Sequence, residues 1–524
     1  VSPVVSPKAA TAPPRPSHVE PVALSELAAL VDARLELSAQ DPAITGATLR
    51  AQHVRPGDLF AALPGANAHG ADFAAQALAA GAAAVLTDEA GAGRPALREA
   101  GIPLLVHDDP RGVLGALAAR IYGDPSSKLA IVGVTGTSGK TTVTTMIESG
   151  LRAAGHTTGL IGTVQTVIAG QRLDSAFTTP EAPDLQALFA VMVERGVTHV
   201  AMEVSSHALA LGRAAGTRFA VGAFTNLSQD HLDFHADMED YFQAKAALFD
   251  GRAAKEVVCV DNEWGRRLVK DGTITVSLNE DATWRAEGVT VAASGAQSFA
   301  VVGPDDTKLD AVVRLPGIFN VSNALLAVAC AHAAGIAAED TIRAIGELDV
   351  PGRMERVNRG QDFVALVDYS HKPAAVSAVL DTVRDQIDRA GNDGRVIVVL
   401  GCGGDRDRAK RPIMGEAAAR RAELTVITDD NPRGEEPAAI RAAMVEGALA
   451  VPEDQRGEVV EIGDRRAAIQ EAVRRARPGD VVVVAGKGHE TGQEIAGVVH
   501  PFDDRHVLAD AIDERFGIIG KDHA

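Results

Sequence analysis

The clearest pattern in the chain is an exchange between short apolar runs and longer segments with apolar residues at helical spacing. In the last third the apolar runs are Phe363–Val367, Arg395–Leu400, Leu424–Thr428, Val459–Ile462 and Asp480–Ala485. Helical segments lie between them, two carrying proline in the first turn (Pro373 and Pro412), where its missing N–H costs nothing. Strands alternating with helices predict a parallel sheet with right-handed crossovers. Ligands then belong beyond the carboxyl ends of the strands. Four of these strand exits carry glycine, charge or both: 368–371, 401–407, 429–433 and 486–490.

Upstream, Leu129–Val134 reads as a buried strand. A helix over Lys140–Ala154 follows, with Val143, Ile147, Leu151 and Ala154 on one face and Gly155 as its stop. His199–Val204 and Ala220–Thr225 are two further candidate strands. Residues 22–127 form a smaller mixed segment: helix at Leu24–Val31, strand at Asp58–Ala62, helix at Ala71–Gly81, strand at Ala83–Leu86. Turn-rich Tyr122–Ser126 and Val350-Pro-Gly352 mark boundaries. Residues 1–21 hold six of the 25 prolines and read as a disordered tail. The expectation is an α/β chain divided at 22–127, 128–351 and 352–524.

Composition narrows the function classes. The 524 residues carry 51 Lys and Arg against 70 Asp and Glu, a net charge of −19. That argues against general nucleic-acid or anionic-membrane binding, which needs a basic surface. No apolar stretch approaches the ~18–20 residues of a membrane span, and no signal-peptide pattern is present. The three cysteines are scattered and not in CxxC spacing, so a reducing, cytoplasmic setting fits and a disulfide framework does not.

The strongest chemical signal is Thr135-Gly-Thr-Ser-Gly-Lys-Thr141, leaving a strand and opening a helix. Glycines turn backbone N–H groups toward phosphates, and the helix N-terminus adds favourable partial charge. Lys140 would reach the β- and γ-phosphates and Thr141 would ligate Mg²⁺. The strict phosphate-loop pattern departs at Val134, where glycine is usual. Glu203, at the end of a strand, suits a hard-oxygen metal ligand, or is an ordinary surface acid. His231 lies in polar Thr225–His235 and is a metal ligand or a packing histidine. Lys245, at what reads as an amphipathic helix start, is by composition a snorkelling surface lysine.

Taken together, Thr135–Thr141, Met202–His207, Asn226 with Asp230-His-Leu-Asp233, Phe319-Asn-Val-Ser-Asn323, Gly352-Arg-Met-Glu355 and Asp368-Tyr-Ser-His371 resemble, in residue and order, the Mur ligases. These are ATP-dependent amide-forming enzymes of bacterial cell-wall synthesis. The resemblance runs from about residue 22 to 515. It implies three domains: a small mixed α/β N-terminal domain for the UDP end of the substrate, a central phosphate-loop ATPase, and a C-terminal Rossmann-like domain. It also implies a cytoplasmic monomer and an acyl-phosphate reaction. ATP would be bound by 135–142, including Gly136, Thr137, Ser138, Gly139 and Thr142, with Asn323 facing adenine and Arg353 and Asp368 closing over the nucleotide. Mg²⁺ would be held by Thr141 and Glu203, and a second ion by His231. Lys245 matches a lysine that the family carries as an N6-carboxylate.

Asn67, Thr178, Thr179, Ser205 and Arg213 match residues that contact the UDP-sugar-peptide. Leu49, Phe177 and Leu211 stand where polar contacts occur in some members. The Gly403–Asp407, Asp430-Asn-Pro-Arg433 and Gly486–Glu490 stretches resemble the branch that joins meso-diaminopimelate to UDP-N-acetylmuramoyl-L-alanyl-D-glutamate. Arg433 could grip the distal carboxylate bidentately. Glu490 would take the ammonium, with Arg406, Asp430, Asn431, Pro432 and Gly486 completing the pocket. The lysine-adding sibling would call for a different sequence at 430–433. A folylpolyglutamate-synthase-like ligase shares the fold but not the first-domain match, and a non-catalytic nucleotide-binding regulator would not need Lys140, Glu203, His231 and Lys245 intact.

Overall fold

The computed structural model describes residues 13–36, 41–65, 68–173, 178–292, 295–348, 350–389, 391 and 393–517. Asn67 and Phe177 fall outside these. Among the described residues three large sheets organise the chain, beside two of two strands each. The first has five strands. Gly46–Thr48, Asp58–Ala61, Ala84–Thr87 and Leu104–Val106 run parallel, and Arg34–Glu36 lies antiparallel at the edge. The expected helix over Ala71–Gly81 is divided into a 3₁₀ turn, Gly70–Phe73, and a short helix, Ala74–Ala79.

The central sheet has eleven strands. Ala130–Thr135 lies between His199–Glu203 and Phe219–Phe224, all parallel. Both faces of this region are covered. The Lys140–Ala153 and Ile318–Ala333 helices pack on one side, and Ala182–Glu194 with Met238–Ala246 on the other. That is why these strands are apolar throughout rather than alternating. The far end continues as a meander, Trp284–Val291, Gln297–Val302 and Lys308–Val313, which alternates buried and exposed residues.

The third sheet runs Glu355–Arg356, Val364–Asp368, Val481–Ala485, Val396–Leu400, Leu424–Ile427, Glu458–Glu461, parallel except for the first strand. The last parallel strand in sequence inserts between the first two. The four glycine- and charge-rich exits therefore emerge at one edge of one sheet.

The expectation of a disordered tail over 1–21 needs correcting for residues 13–21. Arg15 donates to both carboxylate oxygens of Asp58, at 2.6 and 2.8 Å, with both side chains buried. The Ser17 backbone N–H donates to Glu194 of the central domain. These contacts, with a further bond from Arg15 to Ala47 O, tie the segment to the first and central domains despite its prolines.

Candidate active site

The phosphate loop has the backbone its sequence requires. Gly136 and Gly139 sit at φ +140° and +87°. A Cβ on Gly136 would stand 1.9 Å from the Thr225 hydroxyl, and one on Gly139 2.5 Å from Asn323 Oδ1. The neighbouring loop braces it. The Ser138 N–H donates to Asn226 Oδ1 at 3.0 Å, and the Thr225 hydroxyl donates to Ser138 O at 2.7 Å.

Lys140 is folded back on this loop, its ammonium donating to Gly136 O (2.9 Å) and Thr137 O (3.2 Å). Burial, and then the charge of Lys372, push its pKa down to about 8. Thr141 donates to Glu203 Oε1 at 3.0 Å, and Glu203 also accepts from the N–H and hydroxyl of Thr163. Glu203 is buried, so the surface-acid alternative does not hold.

Lys245 is 1% exposed and stands in the last turn of the Met238–Ala246 helix, neither at a helix start nor on the surface. Its ammonium donates to Gly136 O at 2.9 Å and lies 4.4 Å above the Tyr241 ring. Burial, with Lys140 and Lys372 nearby, holds its pKa well below the ordinary lysine value. His231 packs on the same Tyr241 ring, 6.0 Å between centroids, and lies 3.1 Å from Asp230. Burial pushes its pKa down to about 2, so it is a neutral imidazole able to offer a lone pair.

Among the described residues no group of three or more His, Cys, Asp and Glu side chains is arranged to hold a metal ion by itself. The donor set at Thr141 and Glu203 is one hydroxyl and one carboxylate. That suits Mg²⁺, which keeps waters and takes its remaining oxygens from substrate phosphates.

The third domain closes over this loop. Arg353 donates to the Thr141 hydroxyl at 3.1 Å and stacks 4.3 Å over the Tyr369 ring. Asp368 accepts from the Met354 and Ser370 N–H groups, both at 2.8 Å, and so shapes the turn that presents Arg353. At the boundary, Gly352 has φ +67°, and a Cβ there would meet His489 N at 2.2 Å. Asn323 is buried against Gly139 and bonds Asn320.

The same cleft, about 820 Å³, is lined by Thr178, Thr179, Ser205, Arg213 and Arg406 as well as by the phosphate loop. Thr179 donates to Glu203 O, Thr178 pairs with Thr163, and Arg213 pairs with Glu181 at 2.8 Å. The other amino-acid-pocket candidates lie at the exits of neighbouring strands. Arg433 donates to Gly404 O at 2.9 Å and lies 3.5 Å from Glu494. Asn431 donates to Glu490 at 2.9 Å. A Cβ on Gly486 would stand 2.5 Å from Asp430 Oδ2, and Pro432 precedes the turn.

His231, Met354, Asp405 and Arg433 all adopt left-handed backbone, φ +49° to +55°. Such conformations cost non-glycine residues ~1–3 kcal/mol each and concentrate where function fixes the chain.

Sequence reasoning missed four contributors. Thr163 carries no motif. Lys372 directly follows the Asp368–His371 stretch and reaches back to Thr137 O. Fully buried Lys487 pairs with Glu490 at 3.1 Å and was visible only as part of Gly486–Glu490. Arg465, also fully buried, pairs with Asp504 and donates to Asp429 O and Ala485 O, holding two of the strand exits.

A phosphate loop facing a second ligand wall, with a Rossmann-like domain closing on both, defines an ATP-dependent ligase. Three family descriptions match in order: Mur ligase family, catalytic domain, over 43–122; Mur ligase middle domain over 134–331; and Mur ligase, glutamate ligase domain, over 352–488. The UDP-N-acetylmuramoyl-L-alanyl-D-glutamate–2,6-diaminopimelate ligase of Streptomyces avermitilis is 53% identical, covering 96% of this chain and 99% of its own. Its namesake from Corynebacterium glutamicum is 51% identical over 94% and 97%. A solved structure with that same name superposes with TM-score 0.65 at 31% identity, covering 95% of this chain and all of the other. The chain belongs to the Mur ligase family and is an ATP-dependent amide ligase.

Proposed function

We propose that this chain joins meso-diaminopimelate to the D-glutamate carboxylate of UDP-N-acetylmuramoyl-L-alanyl-D-glutamate, with ATP as the energy source, in peptidoglycan precursor synthesis. The observation that carries this reading is the shared cleft. Phosphate-loop residues, the Thr178–Arg213 wall and third-domain Arg406 face one space. An acyl phosphate made there can be attacked by an amine before water reaches it.

In this reading the carboxylate oxygen attacks the γ-phosphorus, and the β,γ-bridging P–O bond breaks, its electron pair leaving with ADP. The amine then attacks the acyl carbon, the C–O bond to phosphate breaks, and a proton leaves the nitrogen. Lys140 and Arg353 hold the phosphates. Mg²⁺, held by Thr141 and Glu203 with a second ion near His231, would neutralise phosphate charge. Lys245 would act as its N6-carboxylate. Its buried position against the Tyr241 ring, on which His231 also packs, supports that role, since a free ammonium there would repel a metal. Arg433, Glu490, Asn431 and Asp430 would hold the zwitterionic end of diaminopimelate. The chain would work as a cytoplasmic monomer; among the described residues no helix is long and apolar enough to cross a membrane.

The test is phosphate release with ATP, Mg²⁺ and the UDP-muramoyl-dipeptide, comparing meso-diaminopimelate with lysine. Release that depends on diaminopimelate supports the reading, and equal use of lysine overturns it.

A further inference from the structure

Three ammonium groups converge on two carbonyls of the phosphate loop. Gly136 O accepts from Lys140 and Lys245, and Thr137 O accepts from Lys140 and Lys372. Lys140 is the loop's own lysine, and Lys245 is the candidate carbamate. Lys372 comes from across the cleft. It sits in the turn between the Val364–Asp368 strand and the Pro373–Arg389 helix of the third domain. It is 7% exposed and lines the cleft. Its Nζ stands 2.8 Å from Thr137 O and 2.8 Å from Asp230 Oδ2, both in the central domain.

A buried lysine held by one loop carbonyl and one carboxylate has donor capacity left, because an ammonium carries three N–H groups. Crowded cations around a phosphate-binding turn also have a clear electrostatic complement, a polyanion. The Lys140, Arg353 and Lys372 side chains approach the loop from different sides. Arg353 already reaches Thr141 at the loop's far end.

We propose that Lys372 is a third phosphate-contacting cation, delivered by the third domain to the transferring phosphoryl group. When a nucleoside triphosphate fills the loop, the Lys372 ammonium turns a donor from Thr137 O to the terminal phosphate and keeps Asp230 as its anchor. Domain closure and charge stabilisation then become one event. An open third domain leaves the γ-phosphoryl group without this cation, so ATP is not committed until the cleft is assembled. The inference rests on reading this cleft as the ATP site. It goes beyond that reading by assigning a terminal-phosphate contact to a third-domain lysine that the reading leaves without a role.

The experiment compares wild type, Lys372→Met and Lys372→Arg in the full chain. Binding of ADP and of a non-hydrolysable ATP analogue is measured by calorimetry with Mg²⁺, alongside steady-state kinetics. Expected for Lys372→Met is at least a tenfold loss of affinity for the ATP analogue with little change for ADP. kcat should fall ~10²-fold, the scale for removing one charge-stabilising donor, while KM for the UDP-substrate holds. Lys372→Arg should restore part of the analogue affinity. Equal affinity loss for ADP and the analogue, or no loss for either, would overturn the inference and leave Lys372 an interdomain tie. Wild type that binds neither nucleotide would instead overturn the reading of the cleft. Should Lys372→Met not fold, Lys372→Gln gives the same comparison.

Discussion

Arg353 and Glu203 share a single hydroxyl. The guanidinium donates to Thr141 Oγ1 at 3.1 Å, and that hydroxyl donates onward to Glu203 Oε1 at 3.0 Å. One residue at the edge of the third domain is thereby linked, through the first turn of the phosphate-loop helix, to the acid at the end of the adjacent strand. Arg353→Ala should weaken ATP binding and lower kcat together. Solution scattering should also show a less compact chain, because this link and the Lys372 contact both span the domain boundary.

Lys140→Ala should remove turnover without unfolding the chain. The side chain lines the cleft and its ammonium donates to loop carbonyls, so its loss leaves no cavity in the core. Loss of a cation on the transferring phosphoryl group should cost ~10²-fold or more in rate. Near-normal ligation by a mutant with native circular dichroism would contradict the assignment.

Lys245→Ala should be nearly inactive, and short carboxylic acids should restore part of the activity by supplying the missing oxygens. Mass spectrometry of the native protein under bicarbonate, with a gain matching one carboxyl group on this lysine, is the direct check. Full activity in the mutant would exclude the role.

Arg433→Ala should raise KM for diaminopimelate strongly while ATP and UDP-substrate affinities change little. Sites built around a polar partner reject analogues lacking it by up to ~10⁴. The guanidinium bonds Gly404 O, a contact it can exchange for a carboxylate. Arg433→Lys should rescue poorly, because an ammonium lacks the planar fork. An unchanged diaminopimelate KM would falsify the pocket.

Acid should destabilise the third domain through its buried histidines. Burial pushes the pKa of His489 down to about 3, helped by Arg353, and that of His371 down to about 3, helped by Lys372. The unfolded chain takes these protons near pH 6.5, whereas the folded chain refuses them until about pH 3. Their contribution is therefore complete above pH 6.5 and is lost progressively as pH falls toward 3. Melting temperature should fall between pH 7.5 and 5, and His489→Gln should show a shallower decline. An identical decline in both proteins would rule out this linkage.

The domain pattern was legible because strands buried on both faces cannot alternate, so they appear as plain apolar runs. The strand exits that carry chemistry follow directly from those runs. The meander at 284–313 was not marked out because its strands alternate and are interrupted by exposed residues. Arg15 was hidden by its proline-rich surroundings, since its partner Asp58 lies 43 residues away. Lys372 and Lys487 stood beside or inside quoted motifs, yet nothing in their spacing distinguishes a buried ammonium from an exposed one.

The sequence by itself determined the phosphate loop, the α/β alternation and the family, because these rest on local rules: glycine conformations, helix starts and periodic burial. Only the tertiary structure decided which charges meet. The positions of Lys245, Lys372 and Arg465 depend on segments more than thirty residues away in the chain. Burial, which turns a surface lysine into a poised one, is a property of that long-range packing and not of the neighbouring residues.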